Sequence, residues 1–163
     1  MSSDVREYRS GDEERVIELS LDAWEPVFAA CAQVLGADLN ARVYPDWRAH
    51  QAAAVGDALE ENDTWVSIDD GAISGFVNVI FDEAEDSGEI YMIAVDPTFH
   101  RRGIASRLTE FAVAEMVRRG LSLATVATGG DPGHAAARAT YEKAGFTPFP
   151  QVWYAKVLGS DRQ

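Results

Sequence analysis

A chain of 163 residues with 47% hydrophobic content is long enough to bury one core and too short for two ordinary domains, so one domain over residues 1–163 is expected. The net charge of -13 argues against a nucleic-acid partner, which would want a basic surface, and permits a cationic one. No run of about eighteen apolar residues could cross a bilayer, and the segment MSSDVREYRSGDEER is too polar for a secretory signal, so a cytoplasmic protein with no membrane role is expected.

In chain order, Val5 to Tyr8 reads as a first short strand. Ser10 to Trp24 follows as a helix with Ser10 and Glu13 as a capping box and Val16, Leu19 and Ala23 at helical spacing. Pro26 suits the first turn of a second helix running to Leu35, with Gly36 at its end. Cys31, the single cysteine, has no disulfide partner and reads as a small apolar helix residue. Ala37 to Pro45 reads as a loop, and Asp46 as the N-cap of a third helix through Leu59.

The pattern then changes to strands. Thr64 to Ile68 and Ala72 to Phe81 flank the turn Asp69-Asp70-Gly71 as a hairpin, with Gly75 marking a bulge or a tight packing point. Asp82 to Gly88 is a charged connection, and Ile90 to Val95 a central strand that Asp96-Pro97 stops. A helix with Ile104, Leu108, Phe111 and Ala112 on one stripe runs to Gly120. Leu121 to Ala127 is another strand, Gly129 to Gly133 a connection, and the next helix carries Tyr141 with Gly145 as its C-terminal cap. Gln151 to Leu158 alternates enough to be a closing strand.

The stretch EIYMIAVDPTFHRRGIASRL, from Glu89 to Leu108, carries the most information. An apolar strand passes through a turn into a glycine-containing loop that opens a helix, and the free amides and dipole of a helix start favour an anion such as phosphate. Gly103 and Ala105 keep side chains out of a ligand's way. With 12 Arg and only 2 Lys in the chain, Arg101, Arg102 and Arg107 form a local cationic cluster.

The loop His100-Arg101-Arg102-Gly103-Ile104-Ala105 resembles the cofactor-binding motif of the GNAT superfamily, the acyl-CoA-dependent N-acetyltransferases, which reads Gln or Arg, two residues, Gly, one residue, Gly or Ala. His100 departs from the first position. Ala137-Arg138-Ala139-Thr140-Tyr141-Glu142-Lys143-Ala144-Gly145-Phe146 resembles the same superfamily's later helix, Ala, three residues, Tyr, three residues, Gly-Phe, with His134 where an Asn is usual.

The resemblance implies an α/β (α+β) fold over essentially the whole chain. Its mixed, mostly antiparallel central sheet would have six or seven strands, helices on both faces and a cleft where the sheet splays beside the motif strand. It implies acetyl-CoA as co-substrate, held by the main chain of Ile93, Ala94 and Val95, by His100, Arg101, Arg102, Gly103, Ile104, Ala105 and Ser106 at the pyrophosphate, and by His134, for which capping its helix or lying exposed are the other readings. It also implies direct transfer to a primary amine of a small molecule or peptide in a ternary complex, and allows a homodimer through the closing strands.

An amine with a pKa of about 10 is mostly protonated at neutral pH, so transfer needs a group to take its proton. Glu89, just before the apolar run, matches the superfamily's carboxylate base. The other readings are a solvated residue ending an acidic loop, or Glu83 or Glu85 acting through water. Tyr141 matches the superfamily's donor to the departing thiolate. A main-chain N–H near Ala94 or Val95 would polarise the thioester oxygen. Trp24, Phe28, Tyr44, Trp47 and Trp153 are candidates for the acceptor wall, with Asp22, Glu25 and Asp46 suiting a cationic amine. No residue spacing suggests a metal, and no Walker loop is present. A non-catalytic acyl-CoA-binding module is the alternative that these motifs leave open.

Overall fold

The structure is a computed structural model that describes residues 4–158. Five strands, β1 (Asp4–Glu7), β2 (Asp63–Asp69), β3 (Ala72–Asp82), β4 (Ser87–Val95) and β5 (Leu123–Val126), form one sheet in the order β1-β2-β3-β4-β5. All neighbours are antiparallel except β4 and β5, which run parallel across the crossover helix α4 (Ile104–Arg118). The other helices are α1 (Glu13–Leu35), α2 (Ala37–Val43), α3 (Trp47–Glu61) and α5 (Ala135–Lys143).

Strand alternation sends successive side chains to opposite faces, and both faces are covered. One face packs Trp65, Val77, Val79 and Ile90 against Ile104, Leu108, Ala112 and Met116 of α4. The other packs Val66, Phe76 and Ala94 against Val16 and Leu19 of α1 and Val55 and Leu59 of α3. Asn78, fully buried in β3, ties α3 to the sheet by donating to Ala58 O at 2.8 Å and Thr64 Oγ1 at 2.7 Å.

Four expectations are corrected. Residues 13–35 form one helix with Pro26 inside it, because Trp24 packs on Phe76 before the proline and Phe28 on Trp47 after it. That packing outweighs the one backbone bond a proline removes. The helix start uses Asp12, which accepts from Arg9 N at 2.9 Å and pairs with Arg6, where Ser10 was expected to cap. The expected loop after Gly36 contains α2.

The closing strand over Gln151 to Leu158 is absent, so the described sheet has five strands where six or seven were expected. Pro148 and Pro150 supply no ladder donors at its entrance, and Phe149, Trp153 and Tyr154 remain exposed. Its last residues, Ala155 to Leu158, lie over Leu39, Arg42 and Val43 of α2.

Two irregularities shape the middle of the sheet. In β3 the register slips at Ser74, beside Gly75, where a Cβ would stand 2.8 Å from Ala94 O and 3.2 Å from Leu108 Cδ1. Gly75 is therefore both next to a bulge and at a tight packing point. In β4, Ile90 faces Val79 while Met92 faces Asn78, which makes Tyr91 the extra residue of a bulge.

Candidate active site

β5 pairs with β4 only along Ser87 to Ile90, so from the Tyr91 bulge onward β4 has no neighbour on that side among the described residues. The sheet opens there. Asp96 N donates to Ser74 O at 2.8 Å, and residues two apart on a strand point their amides to the same edge. Ala94 is thus turned to β3, leaving the N–H and C=O groups of Ile93 and Val95 on the open edge. Of the three expected main-chain contacts, Ile93 and Val95 are the ones free to pair with an extended ligand.

The open edge leads into the loop before α4. Asp96 sets the exit: it accepts from Thr98 N at 2.7 Å and Thr98 Oγ1 at 2.6 Å, and it pairs with Arg15. Burial alone would raise this carboxyl, but the bonds from Thr98 and the Arg15 guanidinium together hold it below the usual carboxylate range. His100, Arg101, Arg102 and Gly103 are exposed, and Arg101 and Gly103 have positive φ, 63° and 73°.

Gly103 is the N-cap of α4 with no side-chain cap, so the amides of Ile104, Ala105 and Ser106 start the helix without a helical acceptor. A Cβ on Gly103 would meet nothing within 4 Å, so backbone conformation is what requires glycine in the free protein. The expected cationic trio separates. Arg107 turns back to Asp69 at 2.7 Å and Ser67 Oγ at 2.5 Å, tying the first turn of α4 to the β2–β3 turn. Arg102 pairs with Asp70 at 2.6 Å and lies over the Phe99 ring. Arg101 has no ion-pair partner among the described residues. Free helix-start amides, one uncommitted arginine and an adjoining open strand edge fit a pyrophosphate carried on a long polar arm.

A model of the Acetyltransferase (GNAT) family matches residues 16–146. The chain belongs to the GNAT acetyltransferase family. Residues 16–146 are thus a domain of the acetyltransferase type. A mycothiol acetyltransferase of Beutenbergia cavernae is 32% identical over 120 residues, 68% of this chain, which spans only 39% of that relative. Among solved structures, a GNAT-family protein of Desulfovibrio desulfuricans superposes with a TM-score of 0.67 at 19% identity, covering 91% of this chain and 87% of that one. The PaiA N-acetyltransferase of Thermoplasma acidophilum in complex with coenzyme A gives 0.64 at 16% identity, covering 90% and 91%.

In this GNAT chain Glu89 is not at the start of its strand, as the sequence suggested, but is its third residue, paired with Ile80 on one side and Thr125 on the other. Gly88 and Ile90 face α4, so Glu89, half-buried, projects to the α1 face. Glu83 and Glu85 lie on the exposed β3–β4 turn.

Tyr141 is buried in α5, edge-on to Phe146 with ring centroids 6.1 Å apart. Burial pushes its hydroxyl up to about 12, so it keeps its proton at neutral pH. That hydroxyl has no hydrogen bond to a protein group among the described residues, which leaves it free to donate.

Three of the expected wall residues come together. Phe28 stacks on Trp47 at 4.3 Å and meets Tyr44 edge-on at 5.2 Å, lining a cavity of about 280 Å³ with Glu25, Asn40 and Arg48. Trp24 instead packs on Phe76, Trp153 is exposed on the tail, and Asp46 caps α3 by accepting from Ala49 N. Arg48 reaches Glu25 at 3.5 Å and Asp22 at 4.0 Å.

His134 is the N-cap residue of α5, but its ring makes no cap bond and pairs with Asp131. Sequence reasoning missed Asp131. The signal was an Asp and a His three apart, each preceded by glycine at 130 and 133. The Asp69-Asp70 turn that engages two of the three arginines was read only as a turn. Among the described residues no group of three or more His, Cys, Asp or Glu side chains could hold a metal.

Proposed function

We propose that residues 1–163 act as one N-acetyltransferase domain that moves the acetyl group of acetyl-CoA to a primary amine of a small molecule, by direct transfer within a ternary complex. The observation that carries this reading is the continuous path from the open β4 edge at Ile93 and Val95 to the capless start of α4. That path suits a pantetheine arm and a pyrophosphate. Arg101, the amides of Ile104 to Ser106 and the Ile93 and Val95 main chain hold them, and a Val95 or Ile93 N–H polarises the thioester oxygen.

Glu89 takes a proton from nitrogen through water, since its carboxylate is half-buried on the face that α1 covers. Tyr141, protonated and unpartnered, returns a proton to the sulfur as it leaves. The acceptor enters beside the Phe28, Tyr44 and Trp47 cavity. Its aromatic faces and the Glu25 carboxylate suit a cationic amine, which would take the place that the Arg48 guanidinium holds over Trp47 and beside Glu25 and Asp22.

The test is free-thiol release from acetyl-CoA over a panel of cationic, zwitterionic and neutral amines, with alcohols and thiols alongside. Cationic amines should stimulate release, and Tyr141→Phe and Glu89→Gln should reduce it with coenzyme A affinity retained. Stimulation by alcohols or thiols alone would refute transfer to nitrogen. A neutral amine as the best acceptor would refute the charge preference.

A further inference from the structure

The connection between β5 and α5 holds a pair of side chains that the reading above does not use. His134 Nδ1 and Asp131 Oδ1 are 2.5 Å apart, with side chains 25% and 16% exposed. Burial alone would raise the Asp131 carboxyl, but the bond and charge of His134 and the main chain at Gly133 bring it below its ordinary range. A carboxylate so held accepts, so the shared proton sits on Nδ1. Nε2 has no protein partner among the described residues, so with the ring's proton on Nδ1 its lone pair faces no competing donor.

The loop is shaped around this pair. A Cβ at Gly129 would stand 2.2 Å from Asp131 Oδ1 and 2.5 Å from His134 Nδ1, and one at Gly133 would stand 2.9 Å from both Asp131 Oδ2 and Val27 Cα of α1. Arg138 Nη1 donates to the carbonyls of Gly129 at 2.6 Å and Asp131 at 2.8 Å, which fixes the turn. Neither side chain caps a helix: Asp131 gives no cap bond to the short turn Pro132–His134, and His134 gives none to α5. Two glycines and an arginine thus hold an imidazole that does no capping.

Its surroundings hold two charges, the Asp131 carboxylate and the Arg138 guanidinium on the loop carbonyls. Cys31 of α1 is pushed up by burial and then by Asp131, and Tyr44 by burial and then by Cys31 and Asp131, so both stay neutral at physiological pH. The Arg138 guanidinium is committed to carbonyls. Tyr44 also lines the aromatic cavity, so the pair neighbours one of the residues proposed for the acceptor wall. Along α5, His134, Arg138 and Tyr141 are spaced i, i+4, i+7 on one face, the first and last about 10 Å apart along the axis.

We propose that His134, oriented by Asp131, takes the proton that the acceptor ammonium must lose before attack, a role that rests on the N-acetyl transfer reading. The ammonium gives one proton to Nε2, leaving an imidazolium against the Asp131 carboxylate. The freed nitrogen lone pair forms the N–C bond as the carbonyl π pair moves to oxygen. That pair returns, and the C–S bond breaks with its electrons on sulfur. The adduct's N–H proton passes by way of Glu89 and water to Tyr141, replacing the proton Tyr141 gives to the thiolate. The imidazolium releases its proton to solvent, so one acetyl group moves and one proton leaves.

The experiment compares wild type, His134→Gln, Asp131→Asn and Glu89→Gln in the full chain, measuring kcat/KM for a cationic amine against pH and coenzyme A affinity by calorimetry. His134→Gln should lose about 100-fold in kcat/KM near neutral pH. The loss should shrink as pH rises toward the amine's own pKa, because solvent then supplies the neutral amine, and coenzyme A affinity should stay within twofold. A pH-independent loss, or none, would overturn the proposal. Nitrogen-15 NMR of the free protein reads the tautomer directly: Nδ1–H in wild type, shifted toward Nε2–H in Asp131→Asn. An Nε2–H tautomer in wild type would overturn the proposal whatever the activity. Absence of any amine-dependent thiol release in wild type would instead overturn the transfer reading on which it rests.

Discussion

Gly103→Asp and Gly103→Ala separate what the loop before α4 needs for folding from what its proposed phosphate site needs for binding. Gly103 has φ 73° and open space where a Cβ would project, so alanine adds left-handed strain of about 1–2 kcal/mol and no clash. Aspartate adopts that conformation more readily, and its charge at the start of α4 recovers about 0.3–1 kcal/mol from the helix dipole. The Asp variant should therefore melt at or above the Ala variant, by about 2 °C for a domain of this size. Binding should rank the other way. A carboxylate about 4–5 Å from a phosphate costs about 1 kcal/mol in water and about 4 at an effective dielectric of 20, so a loop between these limits loses roughly 10- to 100-fold in affinity.

Calorimetric titration with coenzyme A, paired with thermal melts, measures both orders. The affinity gap between the two variants should narrow as salt is raised, because the loop is exposed and its charges are screened. An Asp variant that binds coenzyme A as tightly as the Ala variant would refute a phosphate site at this helix start.

The alkaline limb of stability should report Tyr141. Its folded pKa, about 12, lies above the unfolded value of about 10, so its contribution is complete below pH 10 and is lost as pH rises through 12. Denaturant titrations should show roughly 2–3 kcal/mol disappearing across that window in wild type and a flatter profile in Tyr141→Phe. Gly75→Ala would force a Cβ to within 2.8 Å of Ala94 O, which should destabilise by about 1–3 kcal/mol in denaturant melts. It should also weaken coenzyme A binding, because the carbonyl it displaces belongs to the strand proposed to pair with the cofactor. An unchanged midpoint would mean that β3 and β4 separate without cost.

What the sequence revealed and what it hid divide along a physical line. The loop from Asp96 to Gly103 was legible because its chemistry is local: a stop signal, a glycine and a helix start lie within eight residues. The α5 pattern was legible for the same reason. Pro26 misled because helix continuation there depends on Phe76 and Trp47, which are distant in sequence. Arg107 misled because charge near a loop says nothing of direction, and Asp69, some forty residues earlier, claims its guanidinium. The Tyr91 bulge was invisible because a bulge is a property of two strands, and only the register of β3 against β4 reveals the extra residue.

The departure at His100 looks different once the loop is placed. His100 is exposed and extended, with φ −56° and ψ 155°, and its N–H is already used by Pro97 O at 3.2 Å. The turn that presents the helix-start amides is set by positive φ at Arg101 and Gly103, three residues inside the motif at most. An anion held by main-chain amides depends on that backbone path and far less on which side chain precedes it. His100 can therefore replace Gln or Arg without dismantling the site. By the same argument Arg101 is the side chain here whose charge should matter most, since Asp70 and Asp69 hold Arg102 and Arg107 and Arg101 is exposed with no ion-pair partner among the described residues.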